Sequence, residues 1–225
     1  MRAAHAISRT EAAFMAGATV QEIDRVFADE VLAPALTDDG STQGLVPLVA
    51  PLSSFCLATC GDLTPKAQAR VIRTLSERVQ ARQDSELFLG LHVQLGSIDF
   101  DWTVVWACIT VDVWSFVAES LERAAQLAQA RRVILSDPKV MGGMPCFSGT
   151  RLPVANLLAL KRDGLRFAVL KAAYPFLTEE LVKAAEVYEC VSTELSKVTT
   201  FEQANPRSKL IRRTSVQTKG PEPND

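Results

Sequence analysis

The chain has 225 residues, 48% of them hydrophobic and 22% charged, with a formal net charge of -2. These values fit a globular protein of one large domain or two to three small ones and exclude a chain disordered throughout. They also exclude the global basic field of a non-specific nucleic-acid binder, so any such binding must be local.

The first organised segment is ISRTEAAFMAGATVQEIDRVFADEV. Ser8 with Glu11, and Thr19 with Glu22, are two S/T-x-x-E capping boxes, which place two helix starts one short turn apart. Gly17 falls between them, where the first helix needs a residue that tolerates positive φ. Ala12, Ala13 and Ala16 are small on the first helix, and Ile23, Val26 and Phe27 stripe the second. The spacing of Ala13, Gly17, Ile23 and Val26 resembles the helix-turn-helix of DNA-binding repressors, although a structural helical hairpin shares part of it. If the second helix reads DNA by its N-terminal end, Thr19, Val20, Gln21 and Arg25 are the contacts. Glu22 and Asp24 then oppose phosphate unless Glu22 is spent on the cap and Asp24 turns aside, so a dimer or a second reading unit is expected.

Residues 33–62 contain APALTDDGSTQGLVP and are expected to form a loop, which makes residues 1–62 a helix-turn-helix region with its linker. Thr64 and Pro65 open a helix carried by Ala67, Val71, Leu75 and Val79. Alternation predicts short strands near 87–93 and 97–101. A long amphipathic helix over Val111–Arg131 uses Val113, Trp114, Val117, Leu121, Ala124 and Ala128, with Arg131 and Arg132 at its negative end. Residues 63–132 thus form a middle helical segment with a short hairpin.

A Val133–Leu135 strand leads into SDPKVMGGMPCFSGTRLPV, whose glycines and prolines make a shaped loop. It lacks the G-x-x-x-x-G-K-[ST] pattern, so a nucleotide cradle is not expected. Asp137 and Thr150 are placed to bond turn amides, and Arg151 to fork onto carbonyls or a carboxylate. Three short helices come next, opened by Pro153, near 166, and by Thr178 with Glu179 and Glu180.

The run Asp137-Pro138, Gly143, Pro145, Gly149-Thr150-Arg151 and Pro153-Val154, then Tyr174-Pro175 and Leu177-Thr178, resembles the DUF433 family over about 133–190. Its members include small bacterial proteins encoded beside toxins and longer VapB-type antitoxins with their own helix-turn-helix. The stretch Leu165–Val169 departs from the family, being apolar and basic where a polar cap is usual, so Phe167 or Val169 is expected to cover a partner.

The resemblance implies an antitoxin that binds a VapC-like PIN-domain ribonuclease toxin and operator DNA, as a homodimer or higher assembly. Such proteins lay a C-terminal segment across their toxin. In the tail, residues 192–225, the toxin-binding candidates are Arg207, Lys209, Arg212 and Arg213, with Leu210 and Ile211 as apolar anchors. An arginine entering a carboxylate-Mg²⁺ centre would compete with metal and RNA. A solvated tail and one that follows a DNA backbone remain open.

No enzyme is expected: His5 and His92 lack a nucleophile motif, and Asp99, Asp101 and Asp112 read as water-facing carboxylates. No cofactor or metal is expected. Five cysteines without framework spacing suit a reducing compartment, and Cys56 and Cys60 read as buried free thiols. With no apolar run of membrane length and no signal-like start, a cytoplasmic protein is expected. The predicted fold is mainly α with minor β: an N-terminal helix-turn-helix region and a C-terminal three-helix unit over 133–191. The alternatives are a stand-alone DNA-binding transcriptional regulator and a non-DNA-binding interaction scaffold.

Overall fold

The computed structural model describes residues 6–29, 31–32, 45–106 and 108–192. In chain order its elements are α1 (Arg9–Ala16), α2 (Val20–Ala28), α3 (Val49–Thr59), α4 (Pro65–Gln80), α5 (Ser85–Leu89), β1 (Thr103–Trp106), β2 (Ile109–Asp112) and α6 (Trp114–Val133). Then come β3 (Ile134–Leu135), β4 (Cys146–Phe147), α7 (Val154–Arg162), α8 (Phe167–Ala173) and α9 (Glu179–Val191). The described residues are mainly helical, with β1–β2 and β3–β4 as two small antiparallel sheets. No helix among them is long and apolar enough to cross a membrane.

The largest difference from the sequence expectation is α3. Residues 45–62 are not a linker; they hold the most enclosed helix of the first core. Val49, Ala50, Leu52, Phe55 and Cys56 are all buried, and Ser53 with them. A helix that is mostly apolar with no polar face has no amphipathic period to read, and it belongs inside the protein. Pro51 sits in its first turn, where a missing N–H is tolerated. Gln68 of α4 is buried too, and its Nε2 donates to the Cys56 carbonyl (2.9 Å) and the Thr59 hydroxyl (3.0 Å). These bonds satisfy polar groups near the C-terminus of α3, where intrahelical donors run out.

The strands expected near 87–93 and 97–101 are also corrected. Among the residues there whose burial is described, Phe88, Leu91 and Leu95 are buried, at spacings of three and four, and the chain forms α5 and a 3-10 turn at Val93–Ser97. Helical spacing outweighs the weaker alternation. The hairpin lies later, in the β-branched and aromatic run of β1 and β2, where Thr103 pairs with Asp112 and Trp106 with Ile109.

One core joins α1 through α6, so the N-terminal region and the middle segment are a single packed unit rather than two. A second core gathers Ile134, Phe147, Leu157, Leu170, Leu177, Val182 and Ala185 from β3 to α9. Helix α9 serves both: Val182 and Ala185 enter the second core, while Val187 and Val191 pack on the first.

Candidate nucleic-acid interface and the cleft beside it

Both capping boxes are present. Ser8 and Glu11 start α1, and Thr19 and Glu22 start α2. Gly17, at φ 67°, ends α1 in the left-handed region: its N–H bonds the Phe14 carbonyl (3.1 Å), and the next amide, of Ala18, bonds the Ala13 carbonyl (2.9 Å). That is a Schellman closure, and it turns the chain directly into the Thr19 cap. Ile23 and Val26 are buried against the core, which leaves Gln21, Asp24 and Arg25 facing outward.

The two acids that would oppose phosphate are both engaged. Glu22 accepts from the Thr19 amide and the Thr19 hydroxyl, each at 2.8 Å, and these bonds hold its carboxyl below the usual carboxylate range. Asp24 forms an ion pair with Arg9, whose guanidinium also lies 5.7 Å from the Phe27 ring centre. The Thr19 hydroxyl spends its proton on Glu22 and also accepts the Glu22 amide, so Thr19 acts as a cap. Val20 is half-buried. Gln21 and Arg25 are the predicted contacts left open to solvent with side chains long enough to reach a groove.

Helix α6 clamps α1 at both ends. Arg131 pairs with Glu11, the nearly buried acid of the first capping box. Arg123 donates to the Met15 carbonyl (3.3 Å) near the other end and to Glu119 (3.2 Å). Eight residues of helix span about 12 Å, and both α1 and the interval from Arg123 to Arg131 have that length. Arg131 was expected only to suit the negative end of its own helix. Its tertiary role leaves no signal in the sequence beyond an eight-residue repeat of arginine.

Between the α1–α2 turn and the outer face of α6 lies an open cleft of about 720 Å³. Its walls include Phe14, Thr19 and Val20 on one side, Glu119 and Glu122 on the other, and Cys190 of α9 at its edge. The predicted reading end of α2 therefore borders a rim of Glu119, Glu122 and Arg123, which sequence reasoning missed.

The shaped loop is held by its own backbone. Asp137 Oδ1 accepts the Lys139 amide (2.8 Å). Thr150 donates its hydroxyl proton to the Phe147 carbonyl (2.9 Å) and accepts the Leu152 amide (3.2 Å). Gly149, at φ 73°, lets the chain reverse so that the Phe147 amide meets the Leu152 carbonyl (3.2 Å). The Val154 amide reaches the Pro145 carbonyl (2.9 Å), which seats α7 just after Pro153. Gly143 ends a 3-10 turn opened by Met141. Arg151 does not make the expected fork: it is exposed and has no hydrogen bond or ion pair among the described residues. Phe167 is half-buried, lining a groove with Leu165, Leu170 and Val182, and Val169 is 53% exposed.

Residues 134–188 match the family described as Protein of unknown function (DUF433). The match runs from β3 almost to the end of α9 and covers the shaped loop and the three helices after it. The uncharacterized protein y4eO of Sinorhizobium fredii (strain NBRC 101917 / NGR234) is 26% identical over 185 residues, covering 82% of this chain and 80% of that one. No solved structure matches the chain.

The remaining expectations divide by position. Arg207, Lys209, Leu210, Ile211, Arg212 and Arg213 lie outside the described residues, as does His5. His92 is exposed at the start of the 3-10 turn rather than in a strand. Asp101 pairs with Arg78 and accepts the Thr103 amide, and Asp112 accepts the Trp114 amide. Among the described residues no group of His, Cys, Asp or Glu is arranged to hold a metal. The expectation of buried thiols holds for Cys56 and Cys146, whereas Cys60, Cys108 and Cys190 are exposed.

Proposed function

We propose that this chain is an antitoxin of the VapB type, which binds operator DNA through α1–α2 and neutralises a VapC-like PIN-domain ribonuclease with its C-terminal part. The observation that carries the DNA half is that both acids on α2 are engaged within the fold. With Glu22 held by its cap and Asp24 paired to Arg9, the outward face offers Gln21 as a two-way hydrogen-bonding amide and Arg25 as an exposed cation. Such a pair suits an adenine edge and a guanine edge or phosphate. A single short helix gives little affinity, so the reading needs a dimer, and the exposed Val169 beside the Phe167 groove is the proposed seam.

The toxin half rests on the DUF433 match and on the basic tail, with Arg207, Arg212 and Arg213 as the groups that enter the carboxylate-metal centre. This is a binding protein of a cytoplasmic pair, with no turnover of its own.

The test is a promoter-binding titration of the full chain against its own upstream DNA. Arg25→Ala and Gln21→Ala are each expected to weaken binding by about 1–3 kcal/mol if they meet bases. Unchanged binding in both variants removes the DNA half and favours an interaction scaffold. Co-expression with the neighbouring reading frame tests the toxin half separately, and failure of the two chains to associate ends it.

A further inference from the structure

The cleft between the α1–α2 turn and α6 has three properties that together name an occupant. Its rim carries two carboxylates and one cation: Glu119 and Glu122 are exposed there, Arg123 pairs with Glu119 (3.2 Å), and Glu122 has no cation partner among the described residues, only a stretched 3.5 Å contact from Gln126, so the rim keeps a net negative charge. Its floor is apolar, made of Ala13 and the half-buried Phe14 and Val20. Cys190, in the last turn of α9, stands at its edge, so the chain beyond α9 sets out from the mouth of the cleft.

The sequence C-terminal to α9 is complementary in both respects. From Gln203 to Lys219 the chain carries Arg207, Lys209, Arg212, Arg213 and Lys219 with no acid, and Leu210-Ile211 lies in the middle of that run. We propose that the segment Arg207–Arg213 docks in this cleft of its own chain, with its cations against Glu119 and Glu122 and Leu210-Ile211 on the apolar floor. About 15 residues separate Ser192 from Arg207, enough for about 50 Å when extended, so the segment can double back without strain. Tethering makes the encounter intramolecular, at an effective concentration on the order of millimolar, so weak charge pairs suffice.

Zero-length carbodiimide cross-linking of the full chain, followed by peptide mass spectrometry, tests the docking without DNA or toxin. Lys209 is expected to link to Glu119 and Glu122 in preference to the other surface carboxylates, and to do so less at high salt. Arg212→Gln/Arg213→Gln leaves both cross-linking groups intact and removes two exposed charge pairs, so the yield should fall about two- to tenfold. Links spread evenly over the surface, or a yield unchanged in the double variant, overturn the proposal. Mixing isotope-labelled and unlabelled chains separates the remaining case: hybrid links would show the tail seated on another copy, and would also overturn it. Loss of promoter binding has no bearing on these readouts, so failure of the DNA reading and failure of the docking are distinguishable.

Discussion

The Arg123 guanidinium lies against the backbone of Gly17, so close that a Cβ at position 17 would stand 2.8 Å from Cζ of the arginine. Two constraints meet at that glycine. Its φ of 67° costs an L-residue about 1–2 kcal/mol, and its missing side chain leaves the space through which Arg123 reaches the Met15 carbonyl. Gly17→Ala is expected to destabilise the chain by about 1–2 kcal/mol in denaturant unfolding, with most of the loss in backbone strain because an arginine tip can move aside. Arg123→Ala should cost less, and the double variant less than the sum of the two, since the clash disappears with the arginine. Strict additivity would mean that the contact carries no energy.

The second capping box predicts a pH response with a definite sign. The Thr19 amide and hydroxyl hold the Glu22 carboxyl below its ordinary range, its own amide and the Thr178 hydroxyl do the same for Glu180, and the Arg82 guanidinium does so for Asp84. A carboxyl whose folded pKa is depressed contributes stability that is complete above its unfolded pKa and is lost as pH falls through the folded value. Stability should therefore decline as the solution is acidified through and below the ordinary carboxylate range. In an NMR titration the Glu22 carboxyl should titrate below a free glutamate, and Thr19→Ala should bring it back toward one. Thr19→Ala should also cost about 0.5–2 kcal/mol as a lost cap, and Thr19→Ser should restore most of it. The backbone amide bond survives that change, so a Glu22 titration unmoved by Thr19→Ala would sink the hydroxyl as a contributor and leave the amide as the cause.

These two turns are legible in the sequence because each is local: a cap and its partner three residues on, or a glycine one turn past a helix start, is written in adjacent letters. The same holds for α4 with Thr64-Pro65, for α9 with Thr178, and for the backbone-held loop at Gly149-Thr150. The features that escaped are non-local. A mostly apolar segment such as α3 looks the same whether it is a strand, a helix or a linker between prolines, and only the bodies of α1 and α6 decide it. The α1 partners of Arg123 and Arg131 lie more than a hundred residues away, and the opposite wall of the cleft about a hundred. Arg151 fails for the converse reason: its neighbourhood is local, but Thr150 and the backbone already satisfy the loop that it was expected to bind.

Gln68 tests whether α3 is held as described. It is 4% exposed and spends both Nε2 protons on α3, one on the Cys56 carbonyl and one on the Thr59 hydroxyl. Gln68→Ala leaves those acceptors without donors in a dry place and opens a small cavity, so a loss of about 1–3 kcal/mol is expected in thermal or denaturant unfolding. Gln68→Glu should cost more, because a buried carboxylate facing a carbonyl loses its donor and gains a charge. A surface-like effect within about 0.5 kcal/mol for both variants would show that α4 does not close the end of α3.

The five cysteines give a reading of burial that requires no mutation. Burial, with a smaller push from Asp29, raises the Cys56 thiol to about 12, so at pH 8 only about one molecule in ten thousand carries the reactive thiolate, in a side chain that is 4% exposed. Cys146 is raised by burial alone, and Cys190 by burial with the charges of Glu189 and Glu186 added. Cys60 and Cys108 are exposed. Iodoacetamide labelling of the native chain, followed by mass spectrometry, should therefore modify Cys60 and Cys108 first and Cys190 more slowly. Cys56 and Cys146 should react only as the protein opens. Cys56 should follow the opening of α3 from the core, so that Gln68→Ala accelerates it selectively. Labelling of Cys56 at the rate of Cys60 would place α3 at the surface and undo the central position that the fold gives it.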